Sequence, residues 1–492
     1  MAQPGHKDRL TAVDASFLAQ EKHASHMHVG ALVLFDGPPP ARDEFCAHLG
    51  ARLRRVPRYR QKLAFPRLEA GRPFWVDDPS FNLDYHVRHT ALPKPGSDDQ
   101  LRELAGRIFS QRLDRSKPLW EIWIVHGLEG GRFALISKTH HALVDGVSGV
   151  DIATVLFDLS PVPEELEADD GWTPSPEPSD VELVADGVVG LARTPFDLAG
   201  RAIGALQHPV DTLERLREAA EGVGEVVWAG LNPAPDVPLN VPIGPHRRVR
   251  WVQSRLADFK EVKNGLGGTV NDAVLAVVAG ALRRWLQDRG VRTEGVELRA
   301  LVPVSIRAED ERGALGNRIA VMRGPLPVYI DDPVERLRVV REGMGDLKES
   351  KQALGAEVIS GLTGFAPPTL LAQASRLNFS TRLFNLIVTN VPGPQFPLYL
   401  LGREMQEIVP IAFLPEHHAL AVAIMSYNGK VDFGLLADYD AMPDLDAFAS
   451  HLEESLAELL AAARKAGQTR ARSNGSKKDG TPGSARKKTT TS

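Results

Sequence analysis

The sequence predicts an α/β protein with mixed sheets in each half, on three observations. Apolar runs of strand length recur in both halves, bounded by Gly, Pro and Asn turn residues. Helical patterns fall between them without the regular strand–helix alternation of a doubly wound parallel sheet. Two proline-rich stretches, Pro161 to Asp180 and Asn232 to Pro245, divide the 492 residues into blocks of roughly 1–160 and 246–466.

Taken in order, the first block opens with helical and extended segments, among them the amphipathic "RDEFCAHLGARL". Cys46 lies on that helix with no acid–base partner nearby in sequence, so it reads as a small core hydrophobe rather than a catalytic thiol. "LWEIWIVHGLEGGRFALISKTHH" reads as a hairpin of two apolar strands joined by a Glu-Gly-Gly turn. The segment 161–245 is an interdomain linker whose two proline-rich ends are predicted extended and exposed. Between those ends Leu183, Val184, Val188 and Leu191 share a helical face, and Asp211 can N-cap a second short helix. These helices suit docking on the core and lying on a bilayer equally well. In the second block a strand is expected around Val249 to Val252, then a helix from Val270 to Asp288. Strands "ELRALVPVS" and "FNLIVTN" follow, then a hairpin on Asn428-Gly429, the pair that suits a type I′ turn. A helix over 443–465 closes the fold, and residues 467–492 form a basic tail too poor in apolar residues to fold alone.

Composition narrows the function classes. At 43% hydrophobic and 25% charged, the chain has the make-up of a water-soluble globular protein. One cysteine excludes an internal disulfide and fits a reducing compartment. The apolar run "AVLAVVAGAL" stops at Arg283 and Arg284, the length of a buried helix rather than a membrane span. A cytoplasmic protein is expected, one able to lie peripherally on the inner membrane or on lipid inclusions. The net charge is −5, yet the tail holds seven Lys/Arg against one Asp, so the body is acidic. That body and the lack of a recognition motif argue against nucleic acid. The tail reads either as a solvated end or as a segment drawn to anionic lipid head groups.

"THHALVDGVSG", Thr139 to Gly149, carries the chemistry. Neighbouring strand residues point to opposite faces, so one of His140 and His141 is expected to face a site while the other packs or hydrogen-bonds behind it. Asp145 follows, and Gly146 permits a sharp turn. An imidazole that ionises near neutrality suits general-base work. No further ligand stands at metal-site spacing, so no metal is expected. Nor is there a G-x-S-x-G elbow around Ser148 for a serine hydrolase.

"HHALVDG" matches the HHxxxDG motif of CoA-dependent acyltransferases, and "SKPLWE" resembles the PLW element of one branch. "LTAVDASFL", "MHVG", "TVNDAVLAVVAGALRRWL", "PVSIR" and "NVPGP" follow that branch's order from Leu10 to about Leu460. The chain thus resembles the bacterial wax ester synthase/acyl-CoA:diacylglycerol acyltransferase family. The resemblance implies two chloramphenicol-acetyltransferase-like domains with the active-site channel between them. It implies His141 as the base that deprotonates an acceptor hydroxyl, with long-chain acyl-CoA as donor substrate and no cofactor. Diacylglycerol or a long-chain alcohol would be the acceptor. Asp145 would hold the loop through an arginine, for which Arg307 in "PVSIR" is the candidate, with His140 and Gly146 as further support.

Other residues carry two readings. Thr269 and Asp272 fit a capping box, which makes Asp272 structural. Asn271 beside it is either an oxyanion donor, which would make it catalytic, or a structural amide. Pro118, Leu119 and Trp120 either pack the hairpin or contact the acyl chain in the substrate channel. The second pair, His417 and His418 in "EHHALAVAIMS", lacks the Asp-Gly and runs into an apolar strand, with His418 expected half-buried. Two competing functions are a condensation-type catalyst using carrier-bound thioesters and a non-catalytic lipid-surface protein. The PLW and NVPGP blocks weigh against the first, the intact HHxxxDG against the second.

Overall fold

The computed structural model describes residues 8–66, 72–144, 155–164, 171–179, 181–183, 232–305, 319–349 and 380–478. The first half contains β1 (Asp8–Arg9), α1 (Ala12–Gln20), β2 (His28–Phe35), α2 (Arg42–Leu53), β3 (Gln61–Ala64) and β4 (Phe74–Asp77). It continues with α3 (Leu83–His86), β5 (Val87–Ala91), α4 (Asp98–Phe109), β6 (Trp120–His126) and β7 (Phe133–His140). The second begins with β8 (Arg247–Arg255), α5 (Leu256–Leu266), α6 (Val270–Asp288), β9 (Leu298–Ser305), β10 (Ile319–Leu326) and α7 (Pro333–Glu349). It ends with β11 (Leu386–Pro392), β12 (Tyr399–Leu400), β13 (Arg403–Ile411), β14 (Leu420–Tyr427), β15 (Lys430–Asp438) and α8 (Leu445–Lys478).

Among the described residues these strands make two 6-stranded mixed sheets and a small sheet β1-β4-β3. The first large sheet runs β12-β13-β2-β7-β6-β5 and the second β10-β9-β11-β14-β15-β8. In the first, β5 lies parallel to β6 while β7 is antiparallel to both β6 and β2. In the second, β11 lies parallel to β9 and β14.

The mixed α/β reading therefore holds, but the sheets do not follow the sequence blocks. Residues 399–411 belong to the second block and pair into the first sheet, with Met405 opposite Phe35 and Ile411 opposite Gly30. Alternation along a strand names its two faces and not its neighbour, so this crossover leaves no local signal. It also presses β13 against β15 of the other sheet. A Cβ on Gly434 would sit 1.7 Å from the Pro410 carbonyl oxygen, so only glycine permits that approach.

α6 is buried on nearly every side from Asp272 to Leu282, as expected of a helix apolar all round that packs between α7 and α8. Thr269 and Asp272 close its start: the Thr269 N–H donates to Asp272 Oδ2 at 2.8 Å and the Asp272 N–H to Thr269 Oγ1 at 3.2 Å. No single helix among the described residues is long and apolar enough to cross a membrane. At the β14–β15 turn Asn428 and Gly429 take φ of 43° and 83°, as a type I′ turn requires.

Three expectations change. Residues 232–245 are not an exposed linker: Leu239 is fully buried, and its carbonyl accepts the Ala419 N–H at 2.8 Å. The segment 161–180 is partly tied down, with the Arg60 guanidinium over the Trp172 ring at 5.1 Å and the Ser175 N–H donating to Asp77 Oδ2 at 3.0 Å. The last helix continues to Lys478, so residues 467–478 are helical rather than a structureless tail. Of the middle helices only Val181–Leu183 lies within the described residues.

Two acids meet at the sheet junction. Asp432 on β15 is fully buried, and burial first, then the charge of Glu407 on β13, pushes its pKa up to about 7. Gln253 and the Ile408 backbone oppose the shift, though neither reaches full hydrogen-bond geometry with the carboxyl. The folded protein therefore keeps a proton that the unfolded chain releases near the usual carboxyl value. Stability falls as pH rises between about 4 and 7 and stays lower above. Asp432→Asn mimics the protonated acid, so thermal melts at pH 8 should show a gain of about 1–2 kcal/mol that disappears by pH 4. A gain of equal size at both pH values would contradict the assignment.

Candidate active site

The site forms where β7 leaves the first sheet. His140 is the last residue of β7 and pairs with His28 on β2. Its side chain turns inward, 1% exposed, and its Nδ1 accepts the Ala142 N–H at 3.0 Å. Its Nε2 lies 3.6 Å from Glu21 Oε2, longer than an ordinary hydrogen bond. His28 Nε2 lies 3.8 Å from the other oxygen of the same carboxylate. Arg115 donates to Glu21 Oε2 through Nε at 2.7 Å, and Arg112 Nε reaches Oε1 at 3.4 Å. Burial works against ionising Glu21, but His140 and Arg115 outweigh it and hold the carboxyl at about 2. Burial keeps His140 below the ordinary imidazole value even though Glu21 pulls the other way, so both histidine and carboxylate have settled states near neutrality.

His141 faces the opposite way. Its N–H donates to the Met27 carbonyl at 2.9 Å, and its ring stacks on Phe17 of α1 with centroids 4.0 Å apart and planes 19° apart. Phe413, in the connection after β13, closes the other side edge-on at 5.3 Å. Met27 is held at φ 48°, a left-handed conformation that a methionine adopts only where its surroundings impose it. Among the described residues the buried His141 Nδ1 has no hydrogen-bond partner in another residue. Burial pushes the ring's pKa down to about 4, opposed by its own backbone and aided by His140. The ring is thus neutral near pH 7, and the residue as a whole is half-buried. An apolar pocket weakens the ring as a base until negative charge develops beside it. A forming oxyanion raises its basicity at the moment a proton must be held.

The remaining candidates separate. Asn271, half-buried in the first turn of α6, accepts a hydrogen bond at Oδ1 from Asn390 Nδ2 at 3.2 Å, which leaves its own amide hydrogens for another acceptor. Asp272 is the helix cap described above. Leu119 and Trp120 are fully buried: Trp120 Nε1 donates to the Tyr59 carbonyl at 2.7 Å, and the Leu119 carbonyl accepts the His140 N–H at 2.9 Å. That geometry is hairpin packing. Pro118 and Trp120 also border a polar cavity of about 150 Å³ with Arg88, Arg112 and Glu121. Asp145, Gly146 and Arg307 lie outside the described residues. Among the described residues no group of three or more His, Cys, Asp or Glu side chains is placed to hold a metal.

The second histidine pair is structural. His418 is fully buried rather than half-buried, because its ring is clamped between two carbonyls, Glu416 at 2.9 Å and Phe384 at 3.2 Å. It also stacks on Phe384 at 4.4 Å.

Glu21, Arg115, Phe17 and Phe413 went unread in the sequence. The nearest signal was an acid ending the apolar helix before "MHVG", but its partner histidine lies 119 positions downstream, and no spacing rule reaches that far.

The chain matches two family models. Residues 10–274 match the wax ester synthase/diacylglycerol acyltransferase catalytic domain, and residues 315–460 match the WS/DGAT C-terminal domain. The probable diacylglycerol O-acyltransferase tgs1 of Mycobacterium tuberculosis strain H37Rv is 33% identical over 469 residues, covering 94% of this chain and 98% of the relative. Its counterpart tgs2 is 34% identical over 462 residues, covering 92% and 98%. Among solved structures, a wax ester synthase/diacylglycerol acyltransferase from Marinobacter aquaeolei VT8 superposes with a TM-score of 0.63 at 29% identity, over 93% of this chain and 100% of that one. The starter condensation domain of rhizomide synthetase RzmA shares the fold at a TM-score of 0.56 and 13% identity over 93% of this chain and 94% of that one. With both models in order along the chain and relatives matched over nearly their whole length, this protein belongs to the wax ester synthase/diacylglycerol acyltransferase family.

Proposed function

We propose that the protein transfers a long-chain acyl group from acyl-CoA to the hydroxyl of a diacylglycerol or a long-chain alcohol, with His141 as general base. The observation that supports this best is the His141 ring: neutral near pH 7, walled by Phe17 and Phe413, and mounted where β7 ends. In this reading His141 takes the hydroxyl proton while the oxygen attacks the thioester carbonyl. The tetrahedral oxyanion collapses, the C–S bond breaks, and the CoA thiolate leaves with the proton that His141 returns. Oxygen, sulfur and proton balance without a covalent enzyme intermediate, metal or cofactor. Asn271 is the proposed oxyanion donor, and Asp145, Gly146 and Arg307 are proposed to support the loop after His141.

The test is CoA release from palmitoyl-CoA with hexadecanol, with diacylglycerol and with no acceptor, followed by product analysis. Acceptor-dependent release is expected, and the product names the acceptor. Release without acceptor would point to a thioesterase and overturn the reading. The proposed acceptors are water-insoluble, so the enzyme is proposed to work in the cytoplasm at the surface of the inner membrane or of lipid inclusions, aided by the basic residues of 467–492. Deleting 467–492 is expected to weaken binding to anionic vesicles several-fold at low salt and little at high salt. Unchanged sedimentation with vesicles at low salt would remove that role.

A further inference from the structure

We infer that Glu21 is a positioning residue for His141, acting through His140. The inference rests on the proposed role of His141 as base. A histidine base is usually oriented by a partner on its far nitrogen, as in the Ser-His-Asp arrangement. Among the described residues His141 has no such partner, its Nδ1 meeting none of them. Its orientation instead arrives through the main chain on both sides. Its own N–H is held by the Met27 carbonyl at 2.9 Å, and the next N–H, that of Ala142, is held by His140 Nδ1 at 3.0 Å.

The second of these contacts exists only for one form of His140. Nδ1 accepts a hydrogen bond when it carries no proton, so the ring must be neutral with its proton on Nε2. Nε2 is the nitrogen that faces Glu21, at 3.6 Å. An ionised carboxylate there favours the proton on Nε2 and thereby keeps Nδ1 bare for the turn. With the other tautomer, or with the doubly protonated ring, Nδ1–H would point at Ala142 N–H and push it away. Arg115 at 2.5 Å keeps the carboxylate charged and fixed in place.

Helix geometry ties this to the ring itself. The Glu21 N–H donates to the Phe17 carbonyl at 3.1 Å, so the two side chains sit one turn apart at the end of α1. Phe17 stacks on His141 while Glu21 faces His140. One helix end therefore grips both members of the pair, one by packing and one by charge. Lys22 extends the grip to the far wall through its ion pair with Glu416, and Ser25 Oγ donates to the Leu414 carbonyl at 2.8 Å, next to Phe413.

The test compares Glu21→Gln, Glu21→Asp, His140→Asn and the double variant Glu21→Gln/His140→Asn, each checked by thermal melt. Glu21→Gln should lower kcat about 10- to 100-fold with KM for palmitoyl-CoA unchanged, the pattern of a residue that orients a reacting group without touching substrate. Glu21→Asp should recover part of the loss. The double variant should be no slower than His140→Asn alone, since both act along one path. Nitrogen NMR of histidine-labelled wild type, with His140→Asn to assign the signals, should show His140 Nδ1 unprotonated, and Glu21→Gln should shift that population. The NMR reading does not depend on turnover, so it decides the tautomer even if wild type proves inactive in acyl transfer. Multiplying effects in the double variant, an unchanged kcat in Glu21→Gln, or a protonated His140 Nδ1 in wild type would each overturn the inference.

Discussion

His141→Ala is expected to lower kcat for acyl transfer by about 10²- to 10⁴-fold, the usual worth of a general base, while the protein stays folded. The melting temperature should move little, because the contacts that hold this turn are main-chain ones: the His141 N–H to the Met27 carbonyl and the Ala142 N–H to His140 Nδ1. Removing the ring costs its stacking on Phe17, on the order of 1 kcal/mol. His418→Ala should do the reverse. That ring is fully buried between the Glu416 and Phe384 carbonyls, so its loss opens a cavity and strands the one carbonyl that the neutral ring's single N–H serves, costing about 2–4 kcal/mol. The fraction that remains folded should turn over normally. Activity per folded molecule, measured for both variants beside their melts, checks the pair. Equal loss of specific activity in the two would sink the assignment of His141 as base.

Glu121→Ala is the second large effect, and it falls on stability. Lys138 stands on β7, two residues before His140, with its side chain 1% exposed. Its ammonium donates to the Ile108 and Gln111 carbonyls at 2.9 and 3.0 Å and pairs with Glu121 Oε1 at 2.6 Å. Glu121 is itself buried and also faces Arg88 at 3.3 Å. Deleting the carboxylate leaves a buried ammonium with only neutral acceptors, which costs about 3–5 kcal/mol. Burial already holds the Lys138 pKa below its ordinary value, with Glu121 opposing the shift. Without Glu121 the shift deepens, so folding favours the uncharged amine more strongly. The variant should therefore regain stability as pH rises toward the alkaline side. Urea denaturation at neutral and alkaline pH measures both effects. Replacing the pair together, Glu121→Leu with Lys138→Met, should recover most of the loss, as a packed apolar pair does elsewhere. A single variant as stable as wild type at neutral pH would show that the pair contributes nothing.

Much of this was readable from the chain alone. The helix Val270–Asp288 announced itself by a capping box and apolar residues on every face, both local properties. The Asn428-Gly429 turn did so by the two residues that take positive φ at little cost, and the β6–β7 hairpin by two apolar runs around a glycine turn. The HHxxxDG stretch pointed to the family because its information is contiguous. Physics acting over a few residues determined these features, and a sequence displays such physics directly.

The tertiary structure decided what depends on who meets whom. Nothing local to Arg403–Ile411 says that it pairs with β2 of the other half, or that Gly434 must stay bare for Pro410 to pass. The buried fate of Leu239 and His418 follows from surfaces supplied by distant strands. Glu21 shows the same limit at the site: an acid at a helix end takes its meaning from His140, His28, Arg112 and Arg115, which only the folded chain brings around it. Both histidine pairs are spelled His-His-Ala-Leu. One ring lies between Phe17 and Phe413 and the other is locked between backbone carbonyls, because a side chain's chemistry is set by the dielectric and the partners around it, and those are assembled by folding.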